Sequence, residues 1–298
     1  MNRKELFVVA TSTFKEIGKD DIGLLAAGLT YYAFLGLFPL LLAAITLVSL
    51  FLTPEDAAKL IYFVVERVAP GGVDLIAQAL ADALSNRTSA GIVALVGLGI
   101  LIYSASNAFS ILDRAINRAW GTETAPSFVA NRIASFVMML FIAVLFLVFL
   151  VISTLLTWAR AITTDLVGEV PGDQIFWQLV NVGVSFGLAF VVLLLLYWLA
   201  PRANVTARDA WLAALLAAIA WVVVKEGYAL FLGSQFSNFN AVYGTMATVI
   251  ALLTWIDISS MIILGGAEFA AETQRVRKMR AELQASQERY GEGKSPWF

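Results

Sequence analysis

Polar and apolar positions fall in blocks along this chain. No charged residue occurs between Asp21 and Glu55, Arg87 and Asp113, Arg132 and Arg160, or Asp173 and Arg202. A fifth gap runs from Asp209 to Lys225, and a sixth from Glu226 to Glu268 is broken only by Asp257. A helix rises 1.5 Å per residue, so ~20 apolar residues cross ~30 Å of hydrocarbon. The first four gaps are long enough as they stand. The fifth becomes so if Lys225 and Glu226 lie inside it, the sixth if Asp257 does. The pattern predicts six transmembrane helices, at about 22–50, 90–112, 134–157, 175–199, 210–232 and 243–266. Helices of a soluble bundle average about 11–12 residues and carry a polar stripe. The stretch "FVMMLFIAVLFLVFLVISTLL" has no polar face. The first apolar run is too long for a signal-peptide h-region, and no small-residue cleavage site follows it.

Composition agrees: 60% of the residues are hydrophobic and 14% charged, where soluble domains average ~25% charged. Charge also sets a direction, because cytoplasmic loops retain Lys and Arg. Of the 20 Lys and Arg, 15 fall in the N-terminal stretch, the loops after the second and fourth spans, and the C-terminal tail. Four fall on the other side, and Lys225 lies within a span. Both termini are therefore expected in the cytoplasm. No extramembrane segment is large enough for a core of its own, so residues 1–298 read as a single membrane domain.

The connecting pieces have patterns too. Residues 1–21 read as an interfacial helix. Within 53–88, "PEDAAKLIYFVVERVA" and "VDLIAQALADAL" repeat apolar residues at helical spacing around "APGG", which predicts a pair of amphipathic helices on the outer face. Their acid-rich polar faces suit capping the bundle better than binding anionic lipid. The tail 268–298 reads as a cytoplasmic continuation of the last helix. There Arg275, Arg277, Lys278 and Arg280 would meet anionic headgroups, at about 1 kcal/mol each, or serve only to set topology. A basic membrane edge is not a nucleic-acid site, and no nucleic-acid partner is expected.

With neither Cys nor His in the chain, thiol catalysis, disulfides, His- or Cys-based metal and haem sites and the Ser-His-Asp triad are excluded. No Gly-rich phosphate loop and no carboxylate pair at metal spacing appear. No catalytic residues, metal or cofactor are expected, and nothing argues for an enzyme. The candidate chemistry is inside the spans. A charge within the bilayer costs several kcal/mol unless it faces protein or water. Lys225 could snorkel outward; Glu226, beside it, would need a partner or a proton. Asp257 falls near the midplane, offset from Lys225 by roughly 10 Å along an antiparallel hairpin. A direct bridge between them is not expected; a shared hydrated cavity is plausible. On the second span Tyr103, Ser106, Asn107, Ser110 and Asp113 share one face, as a polar pathway or as interhelical glue. Pro39 should kink the first span beside Gly36. Gly183 and Gly187 form a GxxxG on the fourth. "GSQFSNFNAVYGT" reads as an uncharged linker between the last two spans.

Three segments, "AAGLTYYAFLGLFPLLLAA", "YSASNAFSILDRAINRAWGTE" and "FNAVYGTMATVIALLTWIDISSMIILGGAEFAAE", resemble the hallmark segments of the YihY/BrkB family of bacterial inner-membrane proteins. With "LYWLAPRANVTARDAWLAALLAAIAW", the resemblance covers nearly the whole chain. Tyr31, Tyr32, Pro39, Asn107, Trp120, Gly121, Tyr243, Gly244, Trp255, Gly266, Ala267 and Glu268 fall where the family pattern has them; Asp257 departs from its usual aromatic residue. The resemblance implies an all-α, six-helix polytopic protein of the inner membrane with cytoplasmic termini. It implies less about activity: members were once labelled a ribonuclease, and some are linked to serum resistance or to lipid and lipopolysaccharide export. Three functions follow as expectations: translocation of a lipid or ion along polar groups inside the bundle, an envelope assembly or structural role, and, with least support, ribonuclease activity.

Overall fold

A computed structural model describes residues 3–48, 90–122, 173–243 and 246–292, with residues 53, 62, 148, 151, 152, 155, 156, 158–160 and 163 besides. Among the described residues the long elements are helices and no strand occurs. They are α1 (Arg3–Lys19), α2 (Ile22–Val48), α3 (Ala90–Ala119), α4 (Asp173–Leu199), α5 (Ala207–Tyr243) and α6 (Ala247–Glu292). Five hold stretches long and apolar enough to cross a membrane: Ile22–Leu40, Val96–Ala119, Ile175–Leu199, Ala207–Ser234 and Ala247–Gln287. Along their apolar stretches only 11% to 33% of the residues are buried inside the protein. Most of the apolar surface must therefore meet a second apolar medium, and lipid is that medium. Most of the predicted third span, 134–157, lies outside the described residues; the five described within it are helical. The predicted outer pair, 53–88, also lies outside them, apart from Thr53 and Tyr62.

The hydrophobic effect does not hold helices together in lipid, so close packing of small residues must. Helices α2 and α3 run antiparallel, with Gly28 against Ile111 and Gly36 against Ser104. A Cβ on either glycine would come within 3.1–3.2 Å of the facing side chain. Helix α5 buries Ala210, Ala213, Ala214, Ala217 and Ala218 on one face, against a core that includes Tyr197 of α4 and Leu264, Ala267 and Ala270 of α6. Gly266 is the tightest point: a Cβ there would collide with the Tyr197 hydroxyl and lie 3.0 Å from Ala217. Helix α6 packs against all five others, which makes it the axis of the described bundle.

Several sequence readings need correction. The stretch read as a linker is helical up to Tyr243, and α6 restarts at Ala247; apolar residues interleaved with its Asn and Ser let the helix continue. Helix α3 runs past 112 to Ala119, so Arg114 and Arg118 are helical. Gly121 then stops it, at φ 66°. The Gly121 and Thr122 amides bond back to Arg118 and Asn117 at 2.8 and 2.9 Å, a left-handed cap that glycine adopts without strain. Gly183 and Gly187 have nothing within 4 Å of a would-be Cβ, so the GxxxG makes no close crossing among the described residues; Gly28, Gly36 and Gly266 do. The tail continues the last helix to Glu292, as expected.

Candidate functional site

Polar groups gather in two places, at one end of the bundle and within the spans. At the end, α3 leaves the bundle where α4 turns into α5 and α6 emerges. Arg202 reaches Asp113 at 2.6 Å. Asn117 bonds Asp113 at 3.0 Å and accepts the Arg202 amide at 2.8 Å. Asp209 has no exposed surface and takes both arms of Arg277, at 2.6 and 3.0 Å. It also accepts from the Thr206 amide and hydroxyl, at 3.2 and 2.7 Å. That is a capping box, T-x-x-D, opening α5. Arg275 pairs with Glu272 and donates to the Ala119 carbonyl at 2.6 Å. Gln274 accepts from the Trp120 indole at 3.1 Å and donates to the Asn204 carbonyl at 2.8 Å. Arg280 bonds Glu5 of α1 at 2.7 Å. Three of the four tail cations read as headgroup contacts thus close on carboxylates of the protein itself; Lys278 is exposed.

Helix α1 lies beside this belt. Val9 and Thr13 are buried while Phe7 and Phe14 are exposed, so α1 has one face on the bundle and one turned outward. Near its end the Lys19 ammonium donates to Glu16 at 2.8 Å and holds that carboxyl below its usual range. Asp21, at φ 51°, turns the chain into α2. Glu268 sits behind this corner with no exposed surface, beside Asp20, and neither of its oxygens has a geometrically sound hydrogen bond among the described residues. Asp20, Arg275 and Glu16 are its charged neighbours.

The groups within the spans differ. Lys225 pairs with the adjacent Glu226 at 3.0 Å, its side chain 12% exposed and that of Glu226 53%. Its ammonium stands 6.0 Å from the Trp221 ring centroid, at the limit of a cation–π contact. Trp221 and Tyr228 of α5 both pack on Trp255 of α6, at 5.8 and 5.6 Å, and the Tyr228 hydroxyl donates to the Ala251 carbonyl at 2.7 Å. Lys225 therefore sits level with the turn of α6 before Trp255. Asp257 is two residues on from Trp255, about 3 Å along the axis and about 200° around the helix. It faces α2, where the Thr30 hydroxyl lies 3.3 Å from its Oδ1. Lys225 and Asp257 are thus on different seams of the bundle, in keeping with the absence of a direct bridge expected from their offset.

The α3 stripe divides as well. The Asn107 and Ser110 side chains donate to carbonyls one turn back, Tyr103 and Ser106, at 2.8 Å. Tyr103 instead meets Tyr32 of α2 edge-on at 6.0 Å, and Tyr32 meets Tyr31 at 5.1 Å. Asp113 belongs to the end belt; it looked partnerless in the sequence because Arg202 is 89 residues away. The T-x-x-D spacing at Thr206–Asp209 is a sequence signal for this cap that the sequence reading did not use, and nothing in the sequence points to Arg277 as the partner of Asp209. Of the family-pattern residues, Trp255 and Ala267 are buried, Gly266 is the tight crossing, Trp120 is in the belt, and Tyr31 and Tyr243 are exposed. Pro39 lies inside α2, which continues to Val48; Gly244 is outside the described residues. No group of three or more Asp or Glu side chains fit to hold a metal occurs among the described residues.

Comparison with known proteins places this architecture. A family model described as virulence factor BrkB matches residues 13–291. A protein of Bacillus subtilis named ribonuclease-like, YfkH, is 27% identical over 258 residues, covering 86% of this chain and 92% of that one. A UPF0761 membrane protein of Alteromonas mediterranea is 29% identical over 269 residues, covering 89% and 86%. Another, from Mannheimia succiniciproducens, is 28% identical over 295 residues, covering 93% and 92%. No solved structure matches.

Proposed function

The chain belongs to the virulence factor BrkB family, and on that premise we propose that it is a bacterial inner-membrane protein that moves a lipid or an ion across the bilayer. The charged ends of the bundle would face the cytoplasm, both termini included, by the retention of Lys and Arg there. The observation that carries the reading is Asp257. It lies inside an apolar span, faces a neighbouring helix, and forms no ion pair among the described residues. A carboxylate in that position is costly and marks an ion or substrate path more often than packing. Lys225 and Glu226 form a second polar step on α5, near Tyr103, Ser106 and Ser110 in depth but not in contact with Asp257. The test is reconstitution. Vesicles carrying the protein should gain a lipid-scrambling or ion flux that D257A abolishes, with K225A and E226A reducing it. Vesicles without flux, together with full activity of all three variants in cells, would remove the reading.

A second reading rests on the end belt. Helix α6 extends beyond any bilayer-spanning length, and its exposed Met279 and Leu283 would suit an envelope partner; a stable partner recovered only with that extension would favour an assembly role. Anionic headgroups are then left chiefly to Lys278. Nuclease activity, which the name of the Bacillus subtilis relative suggests, would need RNA cleavage by protein free of contaminating nuclease.

A further inference from the structure

We propose that Glu268 holds a proton shared with Asp20, a proton-binding site that makes the seam between α6 and the α1–α2 corner respond to pH. The site stands apart from the translocation reading and does not depend on it. Glu268 has no exposed surface. Neither of its oxygens has a geometrically sound hydrogen bond among the described residues. A carboxylate in that state has lost its water and gained no donor, which costs far more than burying the neutral acid. Two of its charged neighbours, Asp20 and Glu16, are themselves acids, and a like charge disfavours ionisation further. The basic groups nearby are committed. Arg275 closes on Glu272 and the Ala119 carbonyl, Lys19 on Glu16, and Arg118 donates to the main-chain carbonyl of Asp20 at 3.2 Å. The core around this corner otherwise includes Ile22 and Ala26 of α2, the alanine face of α5, and Tyr197 of α4, whose hydroxyl is bonded to the Ile263 carbonyl.

A proton resolves the arrangement. A protonated carboxyl has one O–H to donate and a carboxylate accepts it, so one proton joins two groups that would repel each other when both are ionised. Asp20 is half-buried, so the proton reaches the pair from its side while Glu268 stays sealed. A metal ion suits the place less, because no three acids are grouped to hold one among the described residues. The pair sits where α1 hands over to α2 through Asp21, at φ 51°. Ile17 packs there on α6, 3.6 Å from where a Cβ on Gly265 would stand. The proton therefore closes the corner onto α6. An unfolded chain releases it near the ordinary glutamate value, about 4.3, while the folded chain keeps it. The folded state then binds more protons, and the stability this supplies is full in acid and lost as pH rises until Glu268 ionises.

The test uses purified full-length protein in detergent. The infrared spectrum of wild type minus that of E268Q should show the carbonyl stretch of a protonated carboxyl at neutral pH, and lose it as pH rises. Absence of that band at neutral pH would overturn the site. The thermal unfolding midpoint of wild type should fall relative to E268Q across the same range of pH; a difference that stays constant would overturn the link to the seam. D20N, at a half-buried position, tests the sharing and carries the experiment if E268Q does not fold. Removing the neighbouring negative charge should move the loss of the band downward by about one pH unit. An unmoved midpoint in D20N would show that Asp20 takes no part in holding the proton.

Discussion

The end of the bundle and its interior treat charge in opposite ways. At the end, Asp113, Asp209, Glu272 and Glu5 each take an arginine from a different stretch of the chain or from the next turn. Those pairs tie α1, α3, α5 and α6 together where the helices leave the apolar layer. In the interior, Lys225 and Glu226 pair with each other on one helix, and Asp257 forms no ion pair among the described residues. Most carboxylates at the end are paired with arginine, with Glu268 the exception; in the interior Asp257 meets a threonine hydroxyl. Changes at the end should therefore appear first in stability, and changes in the interior first in activity.

The sharpest way to break that contrast is R277A. It leaves Asp209 buried without its bidentate partner; because Arg277 itself is half exposed, the loss is that of an unpaired hydrogen-bonding group, about 1–3 kcal/mol. Denaturant unfolding in detergent should register that loss, and removing both members with D209N in the same chain should recover most of it. If R277A is as stable as wild type, the end belt is ornamental. G266A comes next. The new methyl collides with the Tyr197 hydroxyl, and overpacking of this kind costs about 1–3 kcal/mol; a thermal midpoint well below wild type is expected. Y197F removes only the 2.8 Å hydrogen bond to the Ile263 carbonyl, about 0.6 kcal/mol for an interhelical bond in lipid. It should be nearly silent in stability, and combined with G266A it should relieve part of that clash. Replacing the interior pair outright, K225M with E226L, should leave stability within about 1 kcal/mol while lowering flux in vesicles. The smallest effect is at α1. Glu16 is held below its usual range by Lys19, so its contribution is present at neutral pH and lost as pH falls through the lowered value. Lys19 is raised by Glu16, so its contribution is present at neutral pH and lost as pH rises through the raised value. Protection factors of the α1 amides, corrected for the intrinsic pH dependence of exchange, should be flat between those limits and fall beyond them, and E16Q should remove both limbs.

How far the sequence reached depended on the range of the interaction. The spans were legible because twenty apolar residues in a row leave one solvent. The tail helix was legible too, because it follows from the pattern along the chain. The C-terminal ends of α3 and α5 were misjudged: a charge or an Asn does not stop a helix unless a cap such as Gly121 replaces its bonds.

The sequence by itself determined the medium, the helices and the depth of each charge, since hydrocarbon imposes its terms on every residue separately. Only the tertiary structure decided which arginine serves which carboxylate, which glycines meet a neighbour, and that Asp257 turns toward Thr30 and away from Lys225. Those outcomes depend on the rotation and neighbours of whole helices. Lipid, being apolar on every side, leaves that rotation to the packing of Gly28, Gly36, Gly266 and the alanine face of α5.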